Sequence, residues 1–181
     1  MKITETNLKG CFVIEPTIFE DHRGLFFESY RKNELVNAIG YNVDFIQDNQ
    51  STSKKGVLRG LHFQIEEAAQ AKLVQVIKGE VLDVLVDLRK ESDTYREYLK
   101  LNLSAKNRKS IFIPKGMAHG FLALEDDTIF SYKCDNYYNP KKERGIIFND
   151  PDLNINWNFP NSDFIISDKD LKLPKLANLS I

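Results

Sequence analysis

Apolar and polar side chains alternate with a period of two over much of the chain. The cleanest case is Tyr98-Leu99-Lys100-Leu101-Asn102-Leu103, the pattern of a strand buried on one face. Comparable runs of four to eight residues cover 11–15, 25–30, 57–64, 72–78, 81–88, 98–103, 110–113, 120–124 and 128–134. Turn residues separate them. Lys78-Gly79-Glu80 predicts a tight hairpin, Asp126-Asp127 a second turn, and residues 20–24 a polar turn closing on Gly24. Residues 43–46 lead into a polar cluster, Gln47-Asp48-Asn49, at a strand end, and 51–56 read as a basic loop. Only residues 31–39 carry a helical period: Leu35, Val36 and Ile39 share a face, and Gly40 suits the C-cap. Short, evenly spaced strands with few helices predict an all-β antiparallel barrel or sandwich.

The pattern weakens after Asn136. The tail from Asn149 is rich in Asp, Asn and Pro, with apolar anchors at Trp157, Phe159 and Phe164. It is expected to wrap over the barrel as an irregular tail, so that residues 1–181 form a single domain with one short N-terminal helix. The length of 181 residues allows a real core. A net charge of −1 gives no general attraction to nucleic acid or anionic membrane, so any anion site must come from a few placed side chains. No apolar run approaches the length of a membrane span. Two cysteines, Cys11 and Cys134, are too few for a disulfide framework. The N-terminal residues lack the apolar core of a signal peptide, and a cytoplasmic protein is expected.

Two stretches stand out chemically. Arg59-Gly60-Leu61-His62-Phe63-Gln64 sets a cation and an imidazole in an apolar strand, where burying either without a purpose is costly. His62 is either a satisfied core histidine or a general base. Arg59 is either a surface side chain with a buried stem or an anion ligand. The two residues are three apart, so a regular strand would point them to opposite faces; only a bend at Gly60 or service to different subunits brings both to one site. The second stretch, Pro114-Lys115-Gly116-Met117-Ala118-His119-Gly120, delivers His119 to the start of a strand. Together they resemble the two-motif pattern of cupin barrels. Metal-binding cupins place a second histidine near the first, where this chain has Phe63 and Gln64. With His22 the only other histidine, no metal and no cofactor are expected.

Further motifs narrow the resemblance. Arg59–Gln64, Gln47-Asp48-Asn49, Phe26-Phe27-Glu28-Ser29-Tyr30, Gly116–Phe121, Asn136-Tyr137-Tyr138 and Ser167-Asp168-Lys169-Asp170 keep, in order and over nearly the whole chain, the pattern of the dTDP-4-dehydrorhamnose 3,5-epimerase family. The resemblance implies a metal-independent, cupin-like jelly roll that inverts C3 and C5 of a dTDP-linked 4-keto-6-deoxy sugar through enolates. It implies His62 as base, held by Asp170, with Tyr132 as proton donor and Lys72 at the enolate oxygen. It assigns Arg23, Arg59 and Lys169 to the pyrophosphate and Tyr138 to stacking on thymine. Glu28, Gln47, Asp48, Asn49, His119 and Glu143 become further substrate contacts. It also implies a homodimer that exchanges N-terminal strands, in which Arg23 and Glu28 complete the neighbour's pocket. An unperturbed imidazole titrates near neutrality and a phenol near pH ~10, which suits removal by one and donation by the other. Three alternatives remain: a sister enzyme inverting one carbon, a non-catalytic carbohydrate-binding cupin, and a metal-dependent cupin oxygenase. Keeping both His62 and Tyr132 argues against the first, and keeping Lys72 and Asp170 against the second.

Overall fold

A computed structural model of the chain describes residues 1–179. Residues 180–181, the last of the expected tail, lie outside the described residues. Thirteen strands are present among those described. The first four are β1 (Lys2–Glu5), β2 (Phe12–Glu15), β3 (Ile18–Asp21) and β4 (Gly24–Phe27). Helix α1 (Lys32–Ile39) follows, then β5 (Gln47–Ser53), β6 (Leu58–Gln64), β7 (Lys72–Lys78) and β8 (Glu80–Asp87). The series ends with β9 (Tyr98–Ser104), β10 (Ser110–Ile113), β11 (Met117–Ala123), β12 (Thr128–Cys134), β13 (Glu143–Gly145) and a short helix, α2 (Asp168–Leu171). One sheet runs β1-β2-β10-β7-β12-β5, a second runs β13-β6-β11-β8-β9, and β3-β4 form a separate hairpin. All of their strand pairs are antiparallel. The two sheets face each other as a cupin-like sandwich.

Strand β8 explains why its sequence reads as one continuous apolar run. Val81 and Leu85 join the core between the sheets, with Val74, Val76, Ile111 and Phe130. Leu82, Val84 and Val86 point the other way, into a second core with Leu58, Leu61 and Phe63. The tail closes that outer core with Ile146, Leu153, Ile155, Trp157 and Leu176. A strand buried on both faces loses the polar half of its alternation. On the six-stranded sheet, α1 covers the outside through Leu35, which packs with Ile14, Leu73 and Phe112. Gly40 ends this helix at φ 83°, as the sequence predicts.

The tail wraps as expected and is tied down at two points. Ile165 bonds with Gly56 and Leu58 along the start of β6. Buried Asp150 accepts from the amides of Asp152, Leu153 and Leu176. Several expectations need correction. Residues 43–46 are not a strand, and Gln47–Ser53, expected as a polar strand end and a loop, is one. Its side chains carry no apolar signal because one face is exposed and the other lines a cavity. Strand β11 begins three residues earlier than its apolar run, which puts His119 in mid-strand rather than at its start. The exposed strands β1 and β3 and the short β13 escape the pattern altogether.

Candidate active site

The space between the sheets is not filled throughout. A cavity of about 530 Å³ remains, walled by both sheets and closed by the Tyr138 segment and α2. From the five-stranded sheet come Arg59, His62 and Gln64 on β6, His119 on β11 and Glu143 on β13. From the six-stranded sheet come Gln47 and Asn49 on β5, Lys72 on β7 and Tyr132 on β12.

Arg59 and His62 do share a face. On β11, His119 pairs with His62 and Phe121 with Arg59, so two steps on one strand match three on the other. The extra residue is a bulge at Gly60-Leu61, and bulges re-aim side chains in this way. Gly60 takes φ 121° and is followed by a cis peptide. A Cβ there would lie 2.6 Å from Gly120 Cα and 2.8 Å from the His119 carbonyl oxygen. Two glycines in contact therefore let the bulge form. Leu58 and Leu61 then both face the outer core, while Arg59 and His62 both face the cavity.

His62 bonds through Nε2 to Asp170 Oδ1 at 2.8 Å, across 108 residues of chain. Ser167 caps α2 by accepting from the Asp170 amide, which seats the carboxylate under the imidazole. The other oxygen, Oδ2, accepts from the Gly60 amide at 3.2 Å. Burial opposes the charge on Asp170, but the bonds from His62 and Gly60 outweigh it and hold the carboxyl below its usual range. Tyr132 stands on the opposite sheet. Burial is the main cause that raises its pKa, with Cys134 and Glu143 adding to it, so its phenol keeps its proton. Lys72 has no hydrogen bond or ion pair among the described residues, and its ammonium lies 5.9 Å from the Tyr132 ring centre. Desolvation lowers its pKa, partly offset by Cys134, Asp83 and Glu143.

The cavity mouth is polar. Arg59 is exposed and its only partner is Ser53, at 3.3 Å, so its guanidinium has no carboxylate among the described residues. Lys169 pairs with Glu143, which raises the lysine's pKa, and Glu143 also accepts from the Tyr138 hydroxyl at 3.1 Å. Gln47 accepts from the Tyr138 amide and Gln64 from the Asn139 amide, so two glutamines hold the tyrosine segment. Sequence reasoning missed this role for Gln64, and nothing in it marked Ser51 and Gln70, which also line the cavity.

Three of the expected contacts stand elsewhere in this chain. Asp48 alternates away from Gln47 and Asn49 and pairs with Lys133 on the outer face. Arg23 closes the β3-β4 hairpin on Asp21 at 2.6 Å, and Glu28 pairs with Arg31. Neither reaches the chain's own cavity. Among the described residues, no group of three His, Cys, Asp or Glu side chains could hold a metal ion. Cys11 and Cys134 are both free and buried, and no helix is long and apolar enough to cross a membrane.

The arrangement sets a carboxylate-held imidazole and a protonated phenol on facing sheets, with an unpaired ammonium beside the phenol. That set can take a proton from one side of a bound ring, steady an oxyanion, and return a proton from the other side. Comparison with known proteins agrees. Residues 5–178 match the family model described as dTDP-4-dehydrorhamnose 3,5-epimerase. The enzyme of that name from Methanothermobacter thermautotrophicus is 49% identical over 93% of this chain and 91% of its own. The crystal structure of the Elizabethkingia anophelis enzyme superposes with a TM-score of 0.95 at 48% identity, covering 98% of this chain and 97% of that one. A Legionella pneumophila 3,5-epimerase, solved in complex with dTDP-4-keto-L-rhamnose, gives a TM-score of 0.94 at 41% identity, over 99% and 94% of the two chains. With its cavity suited to the chemistry and residues 5–178 matching the family model, the chain belongs to the dTDP-4-dehydrorhamnose 3,5-epimerase family.

Proposed function

We infer that this protein inverts C3 and C5 of dTDP-4-dehydro-6-deoxy-D-glucose to give dTDP-4-dehydro-L-rhamnose. The observation that carries this reading is the opposition of His62 and Tyr132, one from each sheet, across a single cavity. Inversion through an enolate needs removal of a proton from one ring face and delivery to the other, and one side chain cannot reach both. His62 takes the proton next to the ketone, with Asp170 fixing its ring. Lys72 meets the charge that develops on the C4 oxygen. Tyr132, kept protonated by burial, donates from the far face. Arg59 and Lys169 meet the pyrophosphate, and Tyr138 stacks on the thymine. Gln47, Asn49, His119 and Glu143 contact the remainder of the substrate. No metal or cofactor takes part.

We further propose that the protein is a homodimer. The β3-β4 hairpin exposes Phe19 at 61% and Phe26 at 67%, beside exposed Ile18 and Leu25. Such a patch on an unpaired hairpin favours a protein partner. Arg23 and Glu28 would then serve the neighbouring subunit's cavity. Two reduced, buried thiols support a cytoplasmic setting.

The test is incubation with the 4-keto sugar nucleotide in D2O, followed by NMR of the ring. Exchange at both C3 and C5 is expected. Exchange at one carbon alone would mark a single-carbon epimerase, and exchange at neither would overturn the reading. Tyr132→Phe should keep exchange measurable while the C5-inverted product becomes scarce; inversion at the wild-type rate would refute the donor role.

A further inference from the structure

A second carboxylate lies deeper in the barrel. Asp83 alternates on β8 with Val81 and Leu85, facing the space between the sheets, and has no accessible surface. Its Oδ1 meets His119 Nε2 at 2.8 Å. Its Oδ2 has no partner among the described residues. Four residues further along the strand, Asp87 is equally buried but well satisfied, accepting from Arg89, Ser92 and Thr94, and these bonds outweigh burial to pull it down to about 2. A buried carboxylate oxygen without a hydrogen bond costs stability, and an apolar side chain in line with Val81 and Leu85 would carry no such cost. Packing therefore does not account for Asp83.

Its neighbours do. His119 lines the cavity, and its Nδ1 has no partner among the described residues. We propose that Asp83 is a positioning residue of the epimerisation site: it holds His119 with Nδ1 turned to the cavity as an acceptor for a sugar hydroxyl. This rests on reading the cavity as the epimerase site.

Asp83→Leu tests the hold on His119. The leucine continues the line of Val81 and Leu85 and removes the acceptor for His119 Nε2–H. KM for the 4-keto sugar nucleotide should rise about tenfold, the loss expected for one hydrogen bond, with kcat little changed. Asp83→Asn, which keeps an acceptor for Nε2–H, should recover most of that loss. A KM unchanged in Asp83→Leu, or raised equally in both variants, overturns the proposal. The wild-type protein provides a second measurement that needs no variant: ¹⁵N NMR of His119 at neutral pH. A proton on Nε2 alone is expected, and a proton on Nδ1 overturns the proposal. Failure of the epimerase reading looks different, since the wild-type protein would then exchange neither ring proton in D2O.

Discussion

Two histidines lie side by side on neighbouring strands, and each bonds through Nε2 to a carboxylate at 2.8 Å. Their surroundings differ. The His62 side chain is 26% exposed and opens to the cavity, whereas that of His119 is 6% exposed. Asp170 arrives from the tail with both oxygens bonded, whereas Asp83 belongs to a barrel strand and leaves one oxygen bare. A His–Asp hydrogen bond does not by itself make a base. His62 has room for a substrate and a phenol on the facing sheet. His119 is stacked against Phe130, with ring centres 6.0 Å apart, and has little freedom to move. On the proposed mechanism, His62 transfers the proton and His119 supports the substrate.

The sharpest way to break this contrast is to remove each imidazole in turn. His62→Ala should abolish exchange at both C3 and C5, a loss on the order of 10²–10⁴-fold for a general base. His119→Ala should keep exchange measurable and act mainly on KM. Equal losses from the two variants would erase the distinction. Next in size is Gly60→Ala. At φ 121° and with Gly120 in contact, the new Cβ forces the bulge to shift. Backbone strain alone should cost about 1–3 kcal/mol in denaturant unfolding. Activity should fall further than stability, because Arg59 and His62 would no longer share a face. A fully active, equally stable variant would mean that the bulge is not needed.

Arg59→Ala probes the other residue that the bulge turns inward. Losing one charge-assisted bond should weaken dTDP binding by about 1.5–3 kcal/mol in calorimetry, with little change in unfolding. Alkaline pH then separates activity from stability. The folded pKa of Lys72 is lowered, so between that value and 10.5 the unfolded chain binds more protons at this site. Its contribution to stability therefore rises with pH across that window, while the ammonium proposed to meet the enolate is lost. Activity should decline reversibly there with the circular dichroism spectrum intact; parallel loss of both would contradict the assignment. The smallest expected effect is none. Exhaustive EDTA treatment should leave the rate unchanged, because Gln64, at the place of a cupin metal ligand, is committed to the Asn139 amide. A loss restored by a divalent ion would contradict this.

Much of the sandwich was legible in the chain alone. Period-two runs located most of the strands, including β7, β10 and β12 residue for residue, and a helical period with Gly40 located α1. Burial writes itself into sequence wherever one face is apolar. The motifs around His62, His119, Tyr132 and Asp170 named most of the side chains that meet in the cavity. Tertiary structure decided the rest. Strand β5 is polar on both faces and leaves no hydrophobic trace. The shared face of Arg59 and His62 depends on a bulge that exists only because Gly60 rests on Gly120, a residue of the neighbouring strand. The pairing of His62 with Asp170 spans 108 residues and requires the tail to fold back over the sheet. Asp83 sits in an apolar run, and its partner His119 comes from the neighbouring strand β11. Sequence records which side chains are apolar and in what order. Which polar groups meet is settled by contacts between residues far apart in the chain, and local periodicity carries no information about those.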